Sequence, residues 1–175
     1  EREGLSIRHA SKFILIGSGN PEEGELRPQL LDRFGLSVEV MTPDTVHERI
    51  EIIQRRDQYD NNPEGYVLDW QKENKKLRNK IQKARKNLNS VSVDNKILEN
   101  CAEICIDLGS DGLRGELTLV RTARALAALS NSSSVDEAQL RKIAPMALSH
   151  RLRRDPLDDA GSGTRVARSV EKIIG

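Results

Sequence analysis

The chain of 175 residues carries 28 basic and 27 acidic side chains, which gives a net charge of +1 at pH 7. This balance excludes a bulk electrostatic attraction to nucleic acid or anionic lipid, and no apolar run approaches the ~20 residues that a membrane-spanning helix needs. Aromatic residues make up 3% of the chain, so we expect a core built from Leu, Ile, Val and Ala.

The first forty residues have the pattern of an α/β protein. Residues 1–10 alternate polar and apolar side chains, as the returning strand of a hairpin does. Residues 12–17 contain a continuous apolar run rich in Ile, which predicts a buried parallel strand. Apolar positions within 26–34 predict a short helix, and 36–40 a second short strand. Because two or three parallel strands do not form a stable open sheet alone, we expect further strands from a preceding segment or another chain.

Every later element is predicted to be helical. The Thr-Pro pair at 42–43 is a favourable start for a helix whose buried face is expected to contain Val46, Ile50 and Ile53. Residues 66–89 are densely charged with sparse apolar anchors, which indicates a long, largely solvated helical segment between two bodies. Further helices are predicted over 94–108, 113–129, 135–154 and 164–174.

Two clusters allow more than one interpretation. Cys101 and Cys105 lie one helical turn apart, which favours a reduced, partly buried pair over redox or metal chemistry. The cluster at 151–154, with arginine at three of its four positions, can contact phosphates or acidic partners, or it can match the dipole at a helix C-terminus. The pattern indicates no role for the scattered histidines His9, His47 and His150.

Asn20 and Arg33 are candidates for nucleotide chemistry. Asn20 follows the first predicted strand, at the sheet edge where open α/β sheets bind ligands. Its amide can orient an attacking water in phosphoryl transfer, or it can be the turn residue of an Asn-Pro pair. Arg33 follows Asp32 near the end of the short helix. Its guanidinium can stabilise charge on the γ-phosphate of a neighbouring subunit, or it can form an internal ion pair with Asp32 or Glu25.

Arg114 is a third candidate, within the sequence Gly-Leu-Arg-Gly-Glu at a predicted helix start. The helix dipole mildly disfavours a cation there, and a bound anion would offset that cost; the alternative is an ordinary surface arginine. Gly112 and Gly115 would let a ligand approach closely. The chain has no glycine-rich loop with Lys-Ser or Lys-Thr to hold phosphates. The pattern therefore indicates half of an ATPase, with no metal-binding set of its own.

Three long motifs together resemble one known family. They are GSGNPEEGELRPQLLDRFG at 17–35, SDGLRGELT at 110–118 and HRLRRDPL at 150–157. On these motifs the chain is similar, over essentially its whole length, to the ATPase (I) subunit of magnesium chelatase. This is an AAA+ family of chlorophyll and bacteriochlorophyll synthesis, and the bacteriochlorophyll type is the more similar.

The resemblance implies roles for four matching residues. Asn20 matches the sensor-1 polar residue and Arg33 the arginine finger, both of them catalytic. Arg114 matches the sensor-2 arginine and, with Asn20, would contact nucleotide. Asp32 and Arg33 would lie at a subunit interface. The cofactor would be ATP with Mg²⁺, but the family's main binding residues for it have no counterparts here, so the chain resembles the carboxyl half of the family.

The resemblance also implies an architecture and an activity. The fold class is α/β followed by all-α: the last part of an AAA+ core with parallel strands at 1–42, a helical linker at 43–90 and a helical lid at 91–175. The family couples ATP hydrolysis to Mg²⁺ insertion into protoporphyrin IX, a ligase reaction that forms a nitrogen–metal bond. A fragment of this extent is expected to be inactive alone.

Partners and location follow from the same resemblance. The family forms homo-oligomeric, hexameric rings and works with the D subunit and the porphyrin-binding H subunit, without nucleic acid. It acts in the bacterial cytoplasm or, alternatively, in the chloroplast stroma. A different class of function stays open, because the phosphate loop has no counterpart here: a non-catalytic helical interaction module that binds a partner AAA+ protein.

Overall fold

The computed structural model describes residues 10–11, 13–20, 24, 26–110, 112–152 and 161–175. Within these ranges the regular elements are helices, joined by two short 3₁₀ turns at Leu88–Ser90 and Ser149–Arg151. The helices are α1 (Pro28–Leu31), α2 (Val46–Asn61), α3 (Pro63–Asp69), α4 (Gln71–Asn87), α5 (Asn95–Asp107), α6 (Arg114–Leu129), α7 (Glu137–Leu148) and α8 (Ser162–Ile174). None of the helices in these ranges is long and apolar enough to cross a membrane.

The core lies among the last four helices. α7 packs against both α6 and α8, α5 packs against the same two helices, and the second half of α4 adds Ala84 to the edge. Apart from Asn100, the fully buried side chains are small or aliphatic, as the composition predicted; they include Ile104, Leu119, Leu140 and Leu148. Alanines on α6 and α7 let these helix backbones approach closely, so a well-packed core forms without aromatic residues.

Cys101 and Cys105 confirm the prediction of a reduced, buried pair. Both thiols are free and buried on α5. Burial, followed by the nearby Glu116 carboxylate, raises the pKa of Cys101 to about 11 and that of Cys105 to about 12. A thiol with so high a pKa is almost entirely protonated at neutral pH, and the protonated form is a poor nucleophile. These two side chains therefore serve as small apolar core residues.

Local capping chemistry sets several helix starts. Asp136 and Gln139 form a reciprocal capping box at the start of α7, with hydrogen bonds of 2.9 and 2.7 Å. The start of α2 differs from the prediction at 42–43: Thr45 is its N-cap. The Thr45 hydroxyl accepts from the Glu48 amide at 3.3 Å and donates to the Glu48 carboxylate at 2.6 Å. A Thr with Glu three residues later satisfies the first turn better than a Thr-Pro pair.

The two predicted strands that fall in the described ranges are not formed. Residues 13–17 and 36–40 are irregular, and their apolar side chains are exposed; Ile14 is 91% accessible. A strand exists only when a neighbouring strand takes up its backbone hydrogen bonds, and the described ranges hold one isolated bridge, between Ser92 and Ser134. Ser37 instead donates its amide to the Met146 carbonyl of α7 at 2.9 Å. The hairpin strand predicted at 1–10 lies almost wholly outside the described residues.

The buried face predicted for α2 is also wrong. No residue of α2 is buried, and Val46, Ile50 and Ile53 are exposed. The apolar spacing of a helix shows which side can be buried, but burial needs a second surface to pack against. The solvated segment predicted at 66–89 is confirmed: α3 and α4 are mostly exposed and are interrupted at Trp70. The domain boundaries at 42 and 90 stay predictions.

Gly115 allows close packing inside the protein. Its sequence context had instead predicted that it would let a ligand approach. A methyl group at this buried position would lie 3.0 Å from Ser110 Oγ, 3.1 Å from Cys105 Sγ and 3.3 Å from Leu148 Cδ2. The glycine therefore lets the first turn of α6 pack closely against α5 and α7. The expectation of ligand space at this position is wrong, because the protein's own core fills it.

We expect Gly115→Ala to lower the free energy of unfolding by ~1–3 kcal/mol, because the added methyl group overpacks a site closed on three sides. Gly163→Ala is the matched control. Gly163 is also the second residue of its helix, but its nearest contact would be Ser149 Oγ at an ordinary 3.8 Å. There the change should be neutral or should stabilise by about 0.5–1 kcal/mol. Urea denaturation of both variants measures the difference, and equal effects would contradict this role of Gly115.

Candidate functional site

A carboxylate and two guanidinium groups meet just after α1. Asp32 Oδ2 accepts a hydrogen bond from Arg114 Nη1, and Asp32 Oδ1 accepts one from Arg151 Nη1 at 2.5 Å. The Asp32 backbone carbonyl accepts from the same two nitrogens, at 3.3 and 2.8 Å. One residue thus links the α1 segment to the start of α6 and to the 3₁₀ turn after α7, at residues that lie 82 and 119 positions further along the chain.

The two arginines stand in different environments. The Arg114 side chain is 57% exposed and that of Arg151 only 4%, while the Asp32 side chain between them is 46% exposed. An exposed ion pair contributes little to stability and is screened by salt. A buried guanidinium, in contrast, is tolerated only when its donors are satisfied. The contact of Arg114 with Asp32 is therefore easily exchanged, whereas that of Arg151 is not.

Arg151 is bonded on all sides. Its Nε donates to the Ala147 carbonyl at 3.0 Å, its Nη1 to Asp32, and its Nη2 to the Phe34 carbonyl at 2.7 Å. The bond to Ala147 agrees with the predicted match between this cluster and a helix C-terminus. The bonds to Asp32 and Phe34 were not predicted, because a basic residue after a helix carries no signal of which distant carbonyl it meets. Arg153 and Arg154 lie outside the described residues.

His150 was assigned no role from the sequence, yet it contacts the same segment. Its Nε2 lies 3.1 Å from the Phe34 carbonyl, and because a carbonyl can only accept, Nε2 is the donor. Its Nδ1 is buried without a partner among the described residues. Burial lowers the pKa of His150 and the Arg151 charge adds to this effect, while the Phe34 carbonyl and Asp32 oppose it. The neutral imidazole is therefore the form that fits this site.

Arg33 lies between Asp32 and Phe34, whose backbone carbonyls accept hydrogen bonds from Arg151 and His150. Its side chain is exposed, and within the described ranges its guanidinium has no hydrogen bond or ion pair. The alternative of an internal pair with Asp32 is not seen, since Asp32 is occupied by Arg114 and Arg151. The alternative with Glu25 lies outside the described residues. An arginine of this kind is available to a group outside the chain.

The structure brings Asp32 and Arg114 into contact and places Arg33 beside them. Asn20 is exposed at the end of the irregular segment 13–20, which approaches the site at Gly17, where an added Cβ would lie 3.5 Å from the Phe34 ring. The Arg114 cation at the start of α6 is paired with the Asp32 carboxylate, and a bound anion at this position stays a prediction. The described residues contain no cluster of three or more side chains suited to hold a metal ion.

The comparisons first define a class of protein. Residues 98–173 match the family model described as AAA lid domain. This range covers α6, α7, most of α5 and nearly all of α8, which together form the buried core. A Cytophaga hutchinsonii protein described as a candidate ATPase has a similar fold, with a TM-score of 0.62 over 87% of this chain and 49% of that chain, at 16% identity.

The particular relatives are magnesium-chelatase subunits. The chain is 59% identical over 174 residues to the magnesium-chelatase 38 kDa subunit of Rhodobacter capsulatus, covering 99% of this chain and 50% of that protein. It is 49% identical to the 38 kDa subunit of Chlorobaculum parvum, covering 100% and 51%. It is 44% identical to the chloroplastic subunit ChlI of Nicotiana tabacum, covering 99% and 41%.

The family resemblance found in the three motifs is therefore confirmed over the whole chain. The chain is similar to the magnesium-chelatase 38 kDa subunits along its entire length, and its residues 98–173 match the AAA lid domain model. It spans about half the length of the curated relatives that it matches.

The site should respond to pH through His150. Because the folded protein lowers the pKa of His150 below its ordinary value of 6.5, the unfolded chain binds this proton more readily. The free energy of unfolding should fall as the pH drops below about 6.5 and should be fully recovered above it. His150→Gln, whose amide can still donate to Phe34, should weaken this dependence, whereas exposed His47→Gln should not. Urea denaturation between pH 5 and 8 measures it, and identical pH profiles for the parent and His150→Gln would contradict it.

Proposed function

We propose that the chain is the carboxyl half of the ATPase motor subunit of magnesium chelatase. This subunit couples ATP hydrolysis to Mg²⁺ insertion into protoporphyrin IX. The observation that carries the proposal is the ion pair between Asp32 and Arg114. It links residues 32–34, here called the Arg33 turn, to the start of α6 in the proposed lid. In a motor of this kind the residue that completes a neighbour's active site must be coupled to the part that responds to nucleotide. The names and identities of the relatives support the same proposal.

Arg33 is the proposed arginine finger. It is exposed, lacks an internal partner among the described residues and follows a residue whose carboxylate and carbonyl are both held. In the assembled ring its guanidinium would neutralise charge developing on the γ-phosphate held by the adjacent subunit. Asn20 would orient the attacking water as the sensor-1 residue. Asp32 would support the subunit contact beside Arg33.

Arg114 is the proposed sensor-2 residue. Its present partner, the Asp32 carboxylate, forms an exposed ion pair of small net stability. A nucleotide phosphate carries more charge and can compete for the same guanidinium. If Arg114 left Asp32 to bind a phosphate, the contact between the lid and the Arg33 turn would change. Nucleotide binding would thereby alter the position of Arg33 at the subunit interface.

The rest of the assembly follows from the same proposal. Residues 1–42 would complete an AAA+ core, 43–90 would form the linker and 91–175 the lid; the lid family model at 98–173 supports the last boundary. ATP with Mg²⁺ would be held mainly by residues outside this chain. The subunit would form a hexameric ring and act with the D and H subunits as a nitrogen–metal ligase, in the cytoplasm or the chloroplast stroma. The isolated chain would be inactive.

Loss of the Arg33 guanidinium tests the finger. In the full-length subunit, Arg33→Ala should lower the ATP turnover number by about 10³–10⁵-fold, the range known for arginine fingers, and should leave ATP binding largely intact. Arg27→Ala is the matched control, because Arg27 is an exposed arginine at the other end of α1. Steady-state hydrolysis and nucleotide titration measure both effects. An Arg33→Ala variant that hydrolyses ATP at the parent rate would disprove the assignment.

Arg114→Ala tests the sensor. In the full-length subunit it should weaken either ATP affinity or turnover, since a charged contact to phosphate is lost. Arg121→Ala, also exposed on α6, should change neither. Unchanged affinity together with unchanged turnover for Arg114→Ala would remove the sensor role. If even the parent subunit binds no nucleotide, the non-catalytic interaction module becomes the better description.

A further inference from the structure

We propose that Arg151 is a positioning residue that holds the Arg33 turn in the geometry that catalysis requires. The proposal rests on the proposed function and deepens it, because Arg151 is assigned to the same reaction. It starts from how the turn is held. The residues on both sides of Arg33 accept hydrogen bonds, through their backbone carbonyls, from the 3₁₀ turn that follows α7: Asp32 from Arg151, and Phe34 from Arg151 and His150.

These contacts fix the backbone and leave the Arg33 side chain outside. The Arg33 amide donates back to the Leu30 carbonyl at 3.0 Å, and the Ser37 amide to the Met146 carbonyl at 2.9 Å. The turn is thus held by Leu30 of α1 before it, by Arg151 on both sides of position 33, and by Met146 of α7 after it. Because Arg151 bonds carbonyls on either side of position 33, it determines where the Arg33 Cα lies relative to the lid without touching the guanidinium.

Arg151 is suited to this task because it is itself immobile. Its side chain is 4% exposed, and its Nε bond to Ala147 anchors the guanidinium plane to the last turn of α7. A planar fork with several fixed donors can hold three carbonyls at once, which the point charge of a lysine cannot do. Arg114, in contrast, is exposed, and outside its own helix its side chain hydrogen-bonds to Asp32 alone among the described residues. The two arginines therefore divide the work: Arg114 can exchange its partner, and Arg151 holds the frame.

The expected effect is on the turnover number. A finger must meet a developing charge on another subunit within a narrow distance, and a misplacement of about 1 Å can cost about 10²-fold in rate. In the full-length subunit we expect Arg151→Ala to lower kcat by about 10²-fold. The KM for ATP should stay near the parent value, because Arg151 does not contact the proposed nucleotide groups. Arg151→Lys keeps the charge but only part of the bonding, so its kcat should lie between the two.

Two controls separate positioning from general stability. Val166→Ala truncates a fully buried core side chain of α8 that takes no part in the junction, which is the set of hydrogen bonds joining Asp32 and Phe34 to Arg114, His150 and Arg151. This variant should have a lower Tm and an unchanged kcat at a temperature where it is folded. The double variant Arg33→Ala/Arg151→Ala is the second control. If Arg151 acts through Arg33, the double variant should be no slower than Arg33→Ala alone, since the lost interaction is the same one. Should Arg151→Ala fail to fold, Arg151→Lys is used in the same cycle.

The outcomes distinguish this inference from the proposed function. A lowered kcat with unchanged KM, partial activity of Arg151→Lys and a non-additive double variant support it. A parent-like kcat for Arg151→Ala, or a double variant whose loss is the product of the two single losses, overturns the positioning role and leaves the Arg33 assignment intact. An Arg33→Ala variant with parent activity overturns the proposed function itself, and Arg151 then has no finger to position.

Discussion

The junction at Asp32 is the interaction on which the rest of this structure depends. The irregular segments 13–20 and 36–41 bury almost none of their apolar side chains, so the hydrophobic effect does little to place them against the helical bundle. Directed polar contacts instead place the stretch 32–37, which leads into the second of these segments. The carboxylate and carbonyl of Asp32 and the carbonyl of Phe34 accept hydrogen bonds from Arg151 and His150 in the 3₁₀ turn after α7. The Met146 carbonyl of α7 accepts one from the Ser37 amide. Each of these bonds is directional, so together they define an orientation as well as a contact.

The junction combines a permanent contact with an exchangeable one. The two contacts differ because the two arginines are buried to different extents. If the Arg151 guanidinium moved away, the carbonyls that it binds would lose their hydrogen bonds, whereas Arg114 can move into solvent at little cost. The core formed by helices α5 to α8 supports both. Its close packing around Gly115 fixes the start of α6, and the capping box at Asp136 fixes the start of α7. The helical bundle thereby places two arginines against one carboxylate. Of the two, only the exposed Arg114 is free to change its partner when a ligand binds.

Much of the fold could be predicted from sequence because its signals are local. Helical periodicity, Gly-Ser-Asp-Gly at 109–112 and the scarcity of aromatics predicted the helices of the lid and the chemistry of its core. The strands and the buried face of α2 were predicted wrongly from equally clear patterns. In both cases the pattern describes a surface ready to be paired, and pairing needs a partner that the described residues do not supply. A local pattern therefore shows what a segment can do, while its environment decides what it does.

The sequence by itself determined the motifs in which Asp32, Arg33 and Arg114 stand, and the residue types in those motifs predict phosphate and charge recognition. Only the tertiary structure decided how they are arranged. Arg151 and His150, which no local pattern distinguished, hold the turn, and Asp32 joins residues 82 and 119 positions away. The physical reason is that an ion pair or a hydrogen bond depends on distance and angle in space. Those are set by how α6 and α7 pack, not by the residues that neighbour each partner along the chain.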